Sequence, residues 1–393
     1  MSWKATGAQH LRAEFVLIAR EPEVSTSAAC RQFGISRKTG YKWLRRYAAE
    51  GLDGLADRPR RPRSSPLQVG GDLIVELVRL RRAHPHWGPK KLRTLLRRAG
   101  FGPQDLPGLA TVGRILARAG LSEQKGRGRP RRWMPDGRLD PSQGPNDVWT
   151  VDFKGWWRTG DGQRCEPLSI RDLYSRYILC LRPMRRRRTE EVRDVFAEVF
   201  ERYGLPAAIR SDNGAPFASL LGPHGLTRLS AWWRTLGVKL ERIEPGHPEQ
   251  NGSHERMHRD LAAEIEGQPA ATLAEETLRL ERWRLEYNVQ RPHEALGMKT
   301  PGMLYRCSPR RPVNVRPYGY RPGFLLRRVD SDGCITLGGQ RFHVSEALVQ
   351  TEVALERLDE TRWRVWFCDL EIREVTTKRE AARWVAPTAA AEV

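Results

Sequence analysis

Two stretches limit how this chain can fold more than anything else in it. "DRPRRPRSSPLQ" (57–68) and "SEQKGRGRPRRWMPDGRLDPSQGPN" (122–146) are rich in proline, arginine and glycine and nearly free of aliphatic residues. Such segments cannot contribute to a core and are expected to run as extended basic linkers, over 57–71 and 122–146. They divide the 393 residues into two short segments and one long one, so the chain reads as several domains rather than one.

The first segment, 1–56, has the outline of three helices. "QHLRAEFVLIAR" spaces Leu11, Phe15 and Ile18 along one helical face. "STSAACRQFGISRKTGYKWLRRYAAEG" then gives a short helix, a turn at Gly34-Ile35-Ser36 and a longer basic helix, which is the order of a helix-turn-helix. In that arrangement the second helix enters the major groove of DNA. Trp43, Leu44 and Tyr47 would pack inward, Ser36, Arg37, Lys38, Thr39 and Lys42 would face bases, and Arg45 and Arg46 would lie near phosphates. A small helical bundle with a charged surface fits the same residues. The second segment, 72–121, repeats the theme with amphipathic arginine-rich helices, and a second helix-turn-helix there would bring Lys90 and Lys91 to DNA. In the linker beyond it, "RGRP" (Arg127–Pro130) resembles the core of an AT-hook, which would lay Arg127, Arg129 and Arg131 in a minor groove. A flexible tether touching phosphates is the alternative. The charge agrees with a polyanionic partner: 68 lysines and arginines against 47 acids give +21.

From 147 the texture changes. "VWTVDFKGWW", "CEPLSIRDLY" and "RYILCLRPM" are three apolar runs separated by turn residues, as in an antiparallel meander. A helix, a strand ("PAAIRSDNG"), a helix, a strand ("VKLERIEP") and two long helices (about 252–266 and 272–290) follow. The expectation for 147–305 is an α/β domain whose mixed sheet is covered by helices. The tail, 320–377, alternates with period two between glycine-containing turns and reads as a small antiparallel β-barrel. Six scattered cysteines with no C-x-x-C offer neither a zinc knuckle nor a disulfide framework, which suits a reducing cytoplasm. No apolar run approaches the ~18–20 residues that cross a bilayer.

Three carboxylates carry the chemical reading. Asp152 sits inside a strand in "WTVDF", where an acid among β-formers is costly unless it has work to do. Asp212 ends a strand in "RSDNG", and Glu255 opens a helix after "PGHPEQNG". Converging on one sheet edge, they would offer the hard oxygen donors that Mg²⁺ or Mn²⁺ prefers, and two such ions serve phosphodiester chemistry.

With these residues in view, "WTVDF", "SDNGAPF", "RIEPGHPEQNGSHERMHRDL" and "WRLEYNVQRPHEALGMKTP" resemble the catalytic core of insertion-sequence transposases in the retroviral-integrase superfamily. The resemblance covers roughly 146–305 most clearly. It implies an RNase H-like fold, a D-D-E triad of Asp152, Asp212 and Glu255, two divalent metal ions and double-stranded DNA as partner, at element ends and target. It also implies work as a dimer or larger homo-oligomer in the cytoplasm, on the nucleoid. The 42 residues between the second and third acids (213–254) exceed the interval usual in that family, and the excess is expected in "LLGPHGLTRLSAWW" as a surface insertion. Asp172 is the rival acid and reads as a turn or cap residue. Arg259, one helical turn after Glu255, could hold DNA, and Asn213 and Asn251 could orient the site. A transposase relative that binds DNA but has lost its chemistry would carry the same motifs.

One pattern competes. His254-Glu255-Arg256-Met257-His258 spells H-E-x-x-H, the zinc-protease helix. Arg256 and Arg259 do not suit a buried zinc helix, and no third ligand stands at a telling spacing. His254 and His258 share a face with Leu261 and Ile265, so they are expected to be partly packed against the core.

Overall fold

The computed structural model describes residues 7–58, 68–122, 142–244 and 247–378. Arg127, Arg129 and Arg131, with the RGRP motif, lie outside the described residues. Residues 1–68 and 69–393 form two compact units.

In the first unit, α1 (Ala8–Ile18), α2 (Thr26–Gln32) and α3 (Arg37–Glu50) surround Phe15, Val16, Ala29, Cys30 and Trp43. Ser25 and Ser36 cap α2 and α3, each accepting a backbone N–H three residues on, which fixes where both helices start. Gly34 turns the chain between them at φ +63°, and Gly40 lets α3 approach the core: a Cβ there would lie 2.4 Å from Cys30 Sγ. Leu11, expected in the core, is instead 36% exposed. The buried face is centred on Phe15 and Val16, with Arg12 inward. The Arg12 guanidinium lies 4.1 Å from the Trp43 ring centroid and donates to Leu55 O (2.7 Å) and Asp57 Oδ1 (2.9 Å). A long stem that satisfies a buried carbonyl takes the place expected for a leucine.

The second unit begins with α4 (Gly71–Ala83), α5 (Pro89–Arg98) and α6 (Leu109–Arg118), packed around Leu77, Trp87, Leu92, Leu96 and Val112. These helices are fastened to the central domain. Arg98 donates to Gln290 O (3.1 Å) and Met298 O (3.0 Å), Lys90 pairs with Glu294 (2.8 Å) and His84 with Glu286 (2.9 Å).

The central domain runs β1 (Val148–Phe153), β2 (Trp157–Arg158), β3 (Arg164–Asp172), β4 (Ile178–Met184), α7 (Thr189–Tyr203), β5 (Ala208–Ser211), α8 (Arg228–Thr235) and β6 (Lys239–Arg242). It continues with α9 (Gly252–Leu261), a π turn over 262–266, α10 (Leu273–Val289) and the short α11 (Pro301–Leu304). β3 pairs antiparallel with β1, β2 and β4, while β5 adds parallel to β1 and β6 parallel to β5, so the sheet is mixed as expected. Alternation in β1 explains the layers. Trp149, Val151 and Phe153 pack with residues of α7 and α8, such as Phe196, Phe200 and Trp233. Thr150 and Asp152 face the other way. On that side Met257, Leu261 and Ile265 pack with Trp283 and Tyr287 of α10.

The expected insertion is only half a surface feature. Leu220 and Leu221 are almost fully exposed, but Leu226, Leu229 and Trp233 are buried, because α8 belongs to the core.

The tail contains β7 (Leu325–Arg328), β8 (Cys334–Leu337), β9 (Gln340–His343), β10 (Glu352–Arg357), β11 (Arg362–Phe367) and β12 (Leu370–Thr376). These form an antiparallel sheet in the order β12-β11-β10-β7 and a separate β8-β9 hairpin. The expected barrel is therefore corrected: among the described residues no ladder closes the sheet. Its apolar face is covered instead by Leu226 and Ala231 of the central domain, which share a core with Leu355, Val365 and Phe367.

Candidate active site

The sheet itself brings two of the acids together. β1 and β5 are parallel neighbours in the register Val148↔Ala208 to Thr150↔Arg210. Two residues further on, that register sets Asp152 level with Asp212, on strands about 4.8 Å apart. Asp212 is exposed where β5 ends, and the backbone N–H of Gly214 donates to its Oδ1 (3.1 Å). Behind it Arg242 donates to Ser211 Oγ (2.6 Å); burial draws that guanidinium down to about 10, and Asp212 acts against the shift. Asn213 is occupied elsewhere, holding Ile243 O (2.8 Å).

Glu255 arrives on the first turn of α9, where a carboxylate also suits the helix dipole. The buried Arg171 of β3 fixes that turn, donating to Ser253 O (2.7 Å) and Ser253 Oγ (2.5 Å). Lys154 pairs with Glu266 (2.8 Å) and pins the far end. Asn251 reaches Asp152 Oδ2 at 3.5 Å, at the limit of a hydrogen bond. Asp152 has a pKa pushed up to about 7, first by burial, then by Asp212, with Glu255 adding to it; a hydrogen bond from the Phe153 backbone N–H and the charge of Arg187 work against the rise. Asp212 and Glu255 are thus near enough to act on Asp152 electrostatically. Among the described residues, no three acidic, histidine or cysteine side chains stand at metal-ligand spacing.

Asp172 is no rival. It is fully buried, with Oδ1 accepting from Asn146 N (2.7 Å) and Oδ2 from Ser175 N (2.7 Å) and Oγ (2.5 Å), so it builds the loop between β3 and β4.

The two histidines of H-E-x-x-H are more deeply buried than expected, at 0% and 8% exposure. Both Nε2 atoms meet Ser169 Oγ, at 2.6 Å from His254 and 2.8 Å from His258, and the same hydroxyl contacts Asp152 O (3.0 Å). His254 Nδ1 meets Thr150 Oγ1 (2.8 Å), and His258 Nδ1 lies 3.8 Å from Asp152 Oδ2. Burial lowers both pKa values; the proximity of the other ring adds for His254, and Lys154 for His258, which falls to about 3. They are neutral rings spent on docking α9 to β1 and β3, which leaves the zinc reading without its ligands.

The sequence-expected DNA contacts divide. On α3, Arg37, Lys38, Lys42 and Arg45 are exposed; Lys42 and Arg46 lie 4.3 Å and 5.1 Å from the Trp43 ring centroid, and Ser36 and Thr39 share the cap. Exposed Tyr41 on the same helix was not anticipated. Lys90 is held by Glu294, and Lys91 is half-buried, drawn down to about 8 by burial and by Arg291. Arg259 is exposed beyond Glu255. Arg291 and His293 are buried, Arg291 clamping Asp260 (2.7 Å) and Glu264 (3.0 Å). Arg187 was missed, although the run Arg185–Arg188 was visible in the sequence. It lies 4.6 Å from the Phe153 ring centroid and acts on Asp152.

Known proteins share these parts. Residues 142–248 and 236–301 match families described as Integrase core domain, residues 39–116 a Homeodomain-like domain and 11–63 a Helix-turn-helix domain. The chain is similar to the insertion element IS407 uncharacterized 31.7 kDa protein of Burkholderia multivorans, 26% identical over 72% of this chain and 91% of that protein. It is also similar to the insertion element IS476 uncharacterized 39.2 kDa protein of Xanthomonas euvesicatoria, 27% identical over 64% and 70%. Among solved structures, a chain of the simian T-cell lymphotropic virus intasome in complex with PP2A regulatory subunit B56 gamma aligns over 77% of this chain and all of that one, at 16% identity and TM-score 0.35. With integrase core matches behind helix-turn-helix matches and insertion-element relatives along most of its length, the chain carries an integrase core domain and is similar to insertion-element proteins.

Proposed function

We propose that the protein is a metal-dependent transposase that binds the ends of a mobile element, cleaves them and joins the freed 3′-hydroxyls to target DNA by transesterification. The observation that supports this reading is the register that sets Asp152 level with Asp212, together with the rise in the Asp152 pKa to which Asp212 and, less, Glu255 contribute. The donor set fits Mg²⁺ or Mn²⁺: all-oxygen, acidic, and with mutual repulsion that divalent charge would relieve. Two bound ions would activate the attacking oxygen and offset charge on the departing one.

The chain's own residues do the positioning. Ser169, His254, His258 and Arg171 hold α9 against β1 and β3, which keeps Glu255 near the two aspartates. Arg242 lies behind Asp212, and Arg187 faces Asp152 and can draw a phosphate towards it. Cleavage breaks a P–O3′ bond as water attacks the phosphorus; joining makes a new P–O bond from that 3′-oxygen and releases a target 3′-hydroxyl. Exposed α3 cations would supply binding to double-stranded DNA, and joining two ends in concert needs at least two copies of the chain. No helix among the described residues is long and apolar enough to cross a membrane, consistent with work on DNA.

The test is incubation of the purified protein with DNA from the flanks of its gene and Mg²⁺ or Mn²⁺. Nicked ends and joined products are expected. Binding without either product would favour a DNA-binding relative that has lost its chemistry.

A further inference from the structure

The central domain treats its adjacent tryptophans in opposite ways. Trp157 is 7% exposed and donates to Glu276 Oε1 (2.9 Å), so it is a core residue. Trp156 is 52% exposed, with the Arg158 guanidinium 5.7 Å and that of Arg164 4.9 Å from its ring. Packing does not explain it.

Trp156 also heads a continuous strip. Arg164 pairs with the buried Glu166 (3.0 Å), which holds Arg187 on its other oxygen (2.5 Å), and Arg187 covers Phe153, the residue after Asp152. Arg187 belongs to the run Arg185–Arg188, all four exposed, on the loop from β4 to α7. The register Glu166↔Met184 puts that loop at the same sheet end as Phe153. Arg185 and Arg186 have no ion-pair partner among the described residues. Trp156 is four residues from Asp152, at most about 14 Å of chain.

We propose that this strip binds an unpaired stretch of DNA strand beside the reacting phosphate: Trp156 stacks on an exposed base, while Arg158, Arg164, Arg185 and Arg186 hold phosphates. An indole framed by guanidiniums is the arrangement by which single strands are held without sequence preference. Intact duplex offers no base face to stack, so the strip distinguishes unpaired from paired DNA. The inference deepens the transposase reading and rests on it for the identity of the strand.

The experiment measures binding of a fluorescein-labelled, mixed-sequence single-stranded 15-mer and of the matching duplex to the full chain, by anisotropy across a salt series. Trp156→Ala should weaken single-strand binding by roughly tenfold or more, the loss of one stacked base, and leave duplex binding within about twofold. Trp156→Phe should keep most of the affinity. The Arg185→Ala, Arg186→Ala double variant should flatten the salt dependence by about one to two phosphate contacts. Equal single-strand affinity and salt slope in all proteins would overturn the proposal. So would a Trp156→Ala variant that changes only sedimentation, since Trp156 would then be a protein interface. Failure of the transposase reading is separable: no cleavage at the gene's flanks, with single-strand binding that still depends on Trp156.

Discussion

Helices α3 and α9 are both short and central to the functional reading, yet they use polar residues in opposite ways. On α3 the polar side chains stand in water around a small core, and only Trp43 and Gly40 are buried. On α9 two histidines lie against the sheet, tied through Ser169 and Thr150, while Glu255 beside them acts on Asp152. Under the proposed function the difference follows from what each helix would do. A helix that binds a polyanion needs exposed charge and gives up little stability for it. A helix that presents a catalytic carboxylate needs rigid backing, and buried polar groups supply it only when every partner is present.

The largest effect should come from breaking the cluster. Asp152→Asn is expected to lower end cleavage by about a thousandfold or more, on the scale of losing a central electrostatic group. The same change should stabilise the metal-free protein. Asp152 has a folded pKa raised to about 7, so above that pH the fold holds a charge it disfavours. Thermal unfolding with chelator should therefore show a gain above pH 7, at most about 4 kcal/mol, that fades as the pH falls and vanishes only below about 4, where the folded and unfolded states are both protonated. No gain at any pH would mean that neither burial nor the neighbouring acids raise the Asp152 pKa.

Next comes the backing. His254→Ala leaves a cavity and removes partners from Thr150 and Ser169, so urea unfolding should show a loss of about 2–4 kcal/mol. A loss below about 0.5 kcal/mol would make α9 no different from α3. Smaller still, Arg37→Ala with Lys38→Ala should weaken duplex binding and reduce its salt slope by about two, leaving the unfolding midpoint unchanged. A shifted midpoint instead would give α3 the structural role assigned to α9.

Much of this was legible in the sequence because period and position carry it. Alternation in "WTVDF" puts Asp152 on the face opposite Trp149 and Val151, and "RSDNG" announces a strand end. The 3.6-residue period sets the two histidines apart from Glu255. Other features depend on partners far along the chain. Alternation in the tail predicts strands but not closure, which was decided by Leu226 and Ala231 covering the sheet. Nothing local says that Arg12 turns inward onto Trp43, or which of Trp156 and Trp157 is the core residue. Asp172 resembles a ligand in sequence, and only the backbone it holds reveals its part.

The most direct test of the central claim is strand joining with DNA from the gene's flanks and Mg²⁺, comparing the intact protein with Glu255→Gln and with His254→Ala at a temperature where both variants are folded. The account predicts joining abolished by Glu255→Gln with end binding intact, and largely retained by His254→Ala. Joining that survives Glu255→Gln would contradict it.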